Sequence, residues 1–83
     1  MPGVRVTVRL SGPLIERLGH RQGLQLDEGA TVGDLLDALA RDGRLEAGAT
    51  DGLAVVAGGT IVPRGRTLAD GDELDVLVPV AGG

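Results

Sequence analysis

Hydrophobic residues repeat with two different periods along the chain, and the first of them is a period of two. Over residues 4–10, valine and leucine alternate with arginine and threonine, which is the pattern of a strand with one buried face. Leu24 and Leu26 repeat the alternation around the polar Gln25, so we expect a second strand that returns beside the first. Between the two strands, a proline and a glycine bound a short helical turn over residues 13–19.

The second period is that of an amphipathic helix. Thr31 and Asp34 have the spacing of a capping box, in which the threonine hydroxyl accepts a hydrogen bond from the backbone N–H of Asp34. The hydrophobic residues that follow have the i, i+3, i+4, i+7 spacing of one helix face and are Val32, Leu35, Leu36, Leu39 and Ala40. Gly43 ends the pattern. One main helix that packs on the sheet is therefore predicted.

Three more strands are predicted in the second half of the chain. Residues 53–57 form a short apolar run typical of a buried strand, and Gly58-Gly59 turns the chain into a strand over residues 60–62. The Asp70-Gly71-Asp72 turn precedes a last strand over residues 73–78. In that strand the alternation predicts that Leu74, Val76 and Val78 point inward and that Glu73, Asp75 and Leu77 point outward.

This order of elements, without repeats or a linker, indicates one α+β domain over residues 1–83. A β-grasp is the architecture that it suggests, with a mixed sheet of four to five strands covered by one main helix. A chain of 83 residues has room for one hydrophobic core. The hydrophobic fraction is 42% without any Phe, Tyr or Trp, so this core is expected to consist of closely packed small aliphatic side chains.

Charge and cysteine content exclude several classes of function. Eight arginines stand against 12 acidic residues, and the net charge of −4 argues against a nucleic-acid partner. No cysteine is present, which excludes disulfides, thiolate metal sites and a cysteine nucleophile. No apolar stretch approaches the roughly 20 residues of a membrane helix, so we expect no membrane association and a cytoplasmic location.

Few side chains are candidates for chemistry. His20 follows the glycine that ends the short helical turn, so a solvated side chain without a role is expected. The acidic residues around Asp70 lack the spacing of a calcium loop, and no metal site is predicted. Neither Gly58-Gly59 nor Gly82-Gly83 lies between a strand and a helix N-terminus, as a phosphate-binding loop does.

The end of the chain resembles a known family. Residues 68–74, LADGDEL, followed by residues 78–83, VPVAGG, resemble the C-terminal part of the MoaD/ThiS family of ubiquitin-like sulfur carrier proteins, and most of all the molybdopterin synthase small subunit, MoaD. In that family an acidic-glycine turn before the last strand occurs together with a terminal Gly-Gly. The likeness extends over the whole chain in length and element order. The chain departs from the family pattern in having no aromatic residue and in Ala57, where an asparagine is common.

The resemblance implies that Gly83 is the reactive residue. In the family an E1-like adenylyltransferase uses ATP and Mg to adenylate the C-terminal carboxylate, and a sulfur donor protein then replaces AMP to leave a thiocarboxylate. Gly82 and Ala81 complete the tail, which is expected to be flexible and narrow enough to enter a partner's channel. The carrier itself is expected to bind no cofactor and to supply no catalytic side chain, even as the small subunit of a synthase.

The acceptor of the sulfur and the docking surface complete the prediction. The large subunit of molybdopterin synthase is the expected acceptor, and a synthase for thiazole (thiamine), cysteine or a secondary metabolite is the alternative. A noncatalytic ubiquitin-like interaction module or protein modifier is a further alternative. Ile61, Leu77, Pro79 and Val80 are the predicted partner-binding residues. The alternative for Ile61 and Leu77 is that both fill the core.

Overall fold

The computed structural model describes residues 3–12, 14–46, 48 and 50–78, and this part of the chain forms five strands and two helices. In chain order the elements are β1 (Gly3–Leu10), α1 (Leu14–Leu18), β2 (Arg21–Asp27), α2 (Val32–Asp42), β3 (Ala54–Ala57), β4 (Thr60–Val62) and β5 (Glu73–Leu77). The strands form one mixed sheet in the order β2-β1-β5-β3-β4. The predicted α+β class and β-grasp architecture are therefore confirmed.

The centre of the sheet is a parallel pair made by the first and the last strand. Val8 of β1 lies opposite Leu74 of β5 in this pair. β1 also pairs antiparallel with β2, and β5 pairs antiparallel with β3, which in turn pairs antiparallel with β4. Strands that run parallel need a long connection, and the chain between β1 and β5, which includes both helices and the other three strands, provides it. The last strand is thereby paired with β1 over residues 73–76 and with β3 over residues 75–77.

One face of the sheet carries the hydrophobic core together with α1 and α2. The buried residues of the core cluster are Val4, Val6, Val8, Leu10, Leu14, Leu18, Val32, Leu35, Leu36, Leu39, Val55, Leu68, Leu74 and Val76. They are all valine and leucine, as the composition predicted. We call the opposite side of the sheet, which faces away from this cluster, the outer face. No helix in the described part of the chain is long and apolar enough to cross a membrane.

The local signals in the sequence form the predicted caps and turns. Thr31 and Asp34 make both hydrogen bonds of the capping box, with Thr31 Oγ1 accepting from Asp34 N at 3.3 Å and Asp34 Oδ2 accepting from Thr31 N at 2.9 Å. Gly43 is the C-cap of α2. Gly58 and Gly59 have φ angles of 59° and 82° and join β3 to β4 as a two-residue turn. Such a turn requires positive φ at both residues, which glycine adopts without steric cost.

Two details differ from the predictions. On α2, Ala38 is buried and Ala40 only half-buried, so the apolar face is rotated slightly from the predicted one. The inward position predicted for Val78 is wrong, because β5 ends at Leu77 and Val78 is 37% exposed. The neighbouring strand β1 has already ended at Leu10, and beside Val78 lies Gly12, which has a positive φ and no side chain to pack against it.

Candidate functional site

The strand that leads to the predicted tail is fixed in the middle of the protein. Leu74 and Val76 of β5 have no solvent exposure, and β5 is hydrogen bonded to β1 on one side and to β3 on the other. Val78 is the last described residue. The predicted site residues Pro79, Val80, Ala81, Gly82 and Gly83 lie outside the described residues. Because β5 is rigidly held, the sheet determines the point from which these residues start.

The Asp70-Gly71-Asp72 turn joins β5 to β1 before the strand begins. Asp70 Oδ1 accepts a hydrogen bond from the backbone N–H of Arg5 at 2.8 Å, and the N–H of Gly71 donates to the carbonyl oxygen of Arg5 at 2.8 Å. Gly71 has a φ of 88°, which glycine favours. These two hydrogen bonds continue the contact with β1 to residues that precede Glu73, the first residue of β5. The acidic-glycine motif therefore has a structural role.

Asp72 stabilises the same turn from its other side. Its Oδ2 accepts a hydrogen bond from the backbone N–H of Ala69 at 2.8 Å and lies 3.3 Å from the guanidinium of Arg66. Its backbone carbonyl accepts from the N–H of Thr7 at 2.9 Å. Both aspartates of the motif therefore hold the backbone in place, in agreement with the interpretation of this segment as a turn.

Ile61 and Leu77 lie on the outer face of the sheet, where Ile61 is 70% and Leu77 is 40% exposed. The alternative that both residues fill the core is therefore wrong. They are separated by β3, in which Ala54 lies opposite Leu77 and Val56 lies opposite Ile61. Both β3 residues are partly exposed. We call the set Ala54, Val56, Ile61 and Leu77 the aliphatic patch.

The sequence did not predict that Ala54 and Val56 are partly exposed on the surface. The run over residues 53–57 is apolar at every position, and its composition indicated a strand with both faces buried. In the structure only Val55 of β3 is fully buried. No polar alternation marks the exposed positions, so the pairing of β3 with its neighbours was needed to place them.

Two pairs of opposite charges lie on the part of the outer face formed by β2, β1 and β5. The guanidinium of Arg9 lies 2.7 Å from the carboxylate of Asp75, and that of Arg21 lies 3.7 Å from the carboxylate of Glu73. We call these four residues the charge strip. Asp75 lies opposite Val56, which lies opposite Ile61. The charge strip and the aliphatic patch are therefore contiguous across β5.

The N-terminus of α2 offers no free donor to a phosphate group. Its first backbone N–H groups donate to the carbonyl oxygens of Arg66 and Arg64, at 2.9 and 2.8 Å, and the next two donate to the side chain and the carbonyl of Thr31. An open depression beside this helix end, of about 420 Å³, is lined by Asp27, Glu28, Asp34, Asp37 and Arg41 among others. The excess of carboxylates there disfavours an anion.

His20 has the exposed position expected of a solvated residue. Its backbone carbonyl accepts a hydrogen bond from the N–H of Leu10 at 2.9 Å, at the end of the β1–β2 pair. The main chain of His20 thus contributes to the sheet. Among the described residues, the side chains of the candidate site either form hydrogen bonds that fix turns or lie on the outer face, as ion pairs or as exposed aliphatic residues.

Solved structures with the same fold come from small ubiquitin-like proteins. The small archaeal modifier protein 1 of Haloferax volcanii is 31% identical, with a TM-score of 0.80, over 95% of this chain and 99% of that chain. A Pyrococcus furiosus protein proposed as molybdopterin converting factor subunit 1 is 26% identical, with a TM-score of 0.79, over 93% and 99% of the two chains. A ubiquitin of Caldiarchaeum subterraneum, 18% identical over 99% and 100% with a TM-score of 0.70, shares the fold.

Sequence comparison points to one family. No curated protein sequence matches the chain. The model of the ThiS family, however, matches residues 8–83, which extend from the middle of β1 through the glycines at the end. The matched region contains the Asp70-Gly71-Asp72 turn, the whole of β5 and the predicted tail. The chain therefore belongs to the ThiS family, whose ubiquitin-like β-grasp fold it shares.

Proposed function

We propose that the protein is a sulfur carrier in which the carboxyl group of Gly83 is adenylated and then converted to a thiocarboxylate. The observation that carries the proposal is the position of β5, which lies in the centre of the sheet beside an exposed aliphatic patch and is followed in the sequence, after residues 78–81, by Gly82-Gly83. Membership of the ThiS family supports it. The folded domain provides the surface to which partners bind, and the chemistry takes place at the tail.

The length of the tail limits where the chemistry can happen. Five residues, 79–83, follow Val78 in the sequence, and five fully extended residues span at most about 18 Å. A partner that covers Leu77 must therefore hold its reactive centre within about that distance of β5. Two glycines at the end allow the backbone to enter a narrow channel, because neither carries a Cβ atom.

The reaction needs two steps, since a carboxylate is a poor electrophile. In the first step a carboxylate oxygen of Gly83 attacks the α-phosphate of ATP, and pyrophosphate leaves. In the second step the outer sulfur of a persulfide on a donor protein attacks the acyl carbon and AMP leaves. A thiol then reduces the S–S bond of the resulting acyl disulfide, forms a disulfide with the donor and leaves a thiocarboxylate. ATP and Mg are bound by an E1-like adenylyltransferase, and we place both steps in the cytoplasm. The carrier positions its own tail, and the partner supplies charge stabilisation.

The aliphatic patch is the docking surface in this proposal. Ile61 and Leu77 lie exposed on the outer face, and Pro79 and Val80 follow Val78 in the sequence. Removal of exposed aliphatic surface from water is the usual source of affinity at the centre of a protein interface. The adenylyltransferase and the sulfur acceptor are therefore both expected to cover Ile61 and Leu77.

The large subunit of a molybdopterin synthase is the acceptor that we propose. The similarity to the Pyrococcus furiosus protein favours this acceptor. The chain is then the sulfur-carrying subunit of a synthase, with catalytic side chains supplied by the larger subunit. A synthase that makes thiazole for thiamine, or one for cysteine or a secondary metabolite, would use the same thiocarboxylate.

A protein modifier is the second candidate function. The similarity to the small archaeal modifier protein 1 favours this function. The two chains are 31% identical, and this chain covers nearly the whole length of that protein. The adenylate is the same in this case, but an amine of a target protein replaces AMP and an amide bond forms. The two functions share the activation step and differ in the nucleophile that follows it.

Intact-protein mass spectrometry tests the proposal. The purified protein is incubated with the adenylyltransferase, ATP, Mg, a persulfide donor and a thiol reductant, and we expect a gain in mass that corresponds to the exchange of one oxygen for one sulfur. The matched control omits ATP and should leave the mass unchanged. An unchanged mass with ATP present contradicts the sulfur-carrier function. Covalent adducts with other proteins in place of the exchange would favour the modifier.

A further inference from the structure

The charge strip has an arrangement that folding alone does not favour. Arg9 and Arg21 lie directly opposite each other in the antiparallel β1–β2 pair. Like charges in this position repel and destabilise a sheet. Each arginine approaches a carboxylate of β5, but Arg21 and Glu73 are both 62% exposed and 3.7 Å apart. Exposed ion pairs of this kind contribute little to stability.

The position of the strip links it to docking. The row Arg21, Arg9, Asp75, Val56 and Ile61 crosses all five strands on the outer face. The aliphatic patch lies at one end of this row and the charges lie at the other end, so a partner protein that covers the patch also reaches the charges. The strip borders the patch along β5, so the two surfaces together are asymmetric: one half is apolar and the other half is charged.

A partner needs this asymmetry because apolar contact is non-directional. Burial of the aliphatic patch stabilises a complex without fixing how the partner is rotated on the sheet. The tail is short, so a rotated partner would hold its reactive centre out of reach of Gly83. Complementary charges at the rim of an interface select one orientation and raise the rate of productive encounter.

We propose that the charge strip orients the adenylyltransferase on the outer face, with a carboxylate of the partner reaching Arg21 and a cation reaching Glu73. The inference rests on the proposed function, since it names what that partner must present. Arg21 and Glu73 act here as specificity-determining residues. They are the more exposed pair of the strip and retain hydrogen-bonding capacity for a second protein.

A double charge swap separates recognition from folding. The variant Arg21→Glu with Glu73→Arg keeps the net charge and restores a pair of opposite charges, but with the signs exchanged. The matched control is Asp37→Arg with Arg41→Asp, which exchanges two exposed charges on α2, an element on the other side of the sheet. The strip swap replaces the repulsion between Arg9 and Arg21 by an attraction, so it should unfold at the same or a higher temperature than the unaltered protein. The α2 swap places a carboxylate in the last turn of α2 and should unfold at a slightly lower temperature. Both variants should remain folded at the temperature of the binding assay. Binding to the purified adenylyltransferase is measured by surface plasmon resonance at low and high ionic strength.

We expect the strip swap to lower the association rate about tenfold at low ionic strength, with the difference shrinking as salt is added. The α2 swap should bind like the unaltered protein. An unchanged rate for the strip swap, or an equal loss in both variants, would overturn the inference. If the swap weakens binding but the unaltered protein gains no sulfur, the sulfur-carrier function fails and the orientation role stands. If sulfur is gained and the swap binds normally, only the orientation role fails.

Discussion

The carboxylate of Asp70 accepts a hydrogen bond at 2.8 Å from the backbone N–H of Arg5, which lies 65 positions earlier in the sequence. The bond connects the loop before the last strand to the first strand. We expect Asp70→Ala to lower the free energy of unfolding by about 1 kcal/mol, because the N–H of Arg5 loses its partner. Asp70→Asn keeps an acceptor oxygen and should lose less. Urea denaturation of the two variants measures the difference, and equal stability of Asp70→Ala and the unaltered protein would refute this role.

The Gly58-Gly59 turn provides a test of backbone strain. We expect Gly58→Ala and Gly59→Ala each to cost about 1 kcal/mol of stability, since both positions have positive φ. An added Cβ would have no neighbour within 4 Å at either position, so the loss can be assigned to the backbone. Gly65→Ala is the control, because its Cβ also has open space and its φ is not positive. This variant should be unchanged or slightly more stable in the same thermal melts.

Truncation of Ile61 is expected to affect binding and not stability, whereas truncation of Leu74 is expected to affect stability. Ile61 is 70% exposed, so Ile61→Ala should change the free energy of unfolding by less than about 0.5 kcal/mol. The binding of this variant to the adenylyltransferase should weaken by more than about 1 kcal/mol, because Ile61 is the most exposed residue of the aliphatic patch. Leu74 has no exposure, and Leu74→Ala should cost about 2–5 kcal/mol of stability. Calorimetry of binding and of unfolding measures both quantities. Normal affinity of Ile61→Ala would remove it from the docking surface.

The terminal glycine is expected to be essential for chemistry and irrelevant to folding. Deletion of Gly83, or addition of one residue after it, should abolish formation of the thiocarboxylate, because the terminal carboxyl group then lies one residue short of the partner's catalytic centre or one residue beyond it. The melting temperature should stay the same, since the core lies within residues 4–76. Intact mass and thermal melts of the same samples give the two results. A thiocarboxylate on either variant would contradict the tail mechanism.

Local structure was predictable because its causes lie within a few residues of sequence. The alternation over residues 4–10 placed β1, the Thr31 and Asp34 pair placed the start of α2, and Gly58-Gly59 placed a hairpin turn. Each of these features depends on backbone geometry or on hydrogen bonds between near neighbours. The order of the elements then left the β-grasp as the architecture that buries one helix face on one sheet.

The surface chemistry depended on the tertiary structure. In the sequence, Ile61 and Leu77 stood apart as two aliphatic residues with two alternative environments, buried or exposed. The strand order β2-β1-β5-β3-β4 places Ala54 and Val56 between them and makes one patch of the four. It also brings Arg9 beside Asp75, 66 positions away, and leaves Val78 exposed beyond the end of β1.

What the sequence by itself determined was therefore the set of elements, their caps and turns, and the diglycine end. What only the tertiary structure decided was which side chains share the outer face and how the charges meet the aliphatic residues there. The physical reason is that an uninterrupted apolar run such as residues 53–57 carries no sign of which side will be covered. That choice is made by the pairing of distant strands and by the helix that packs on one side of them.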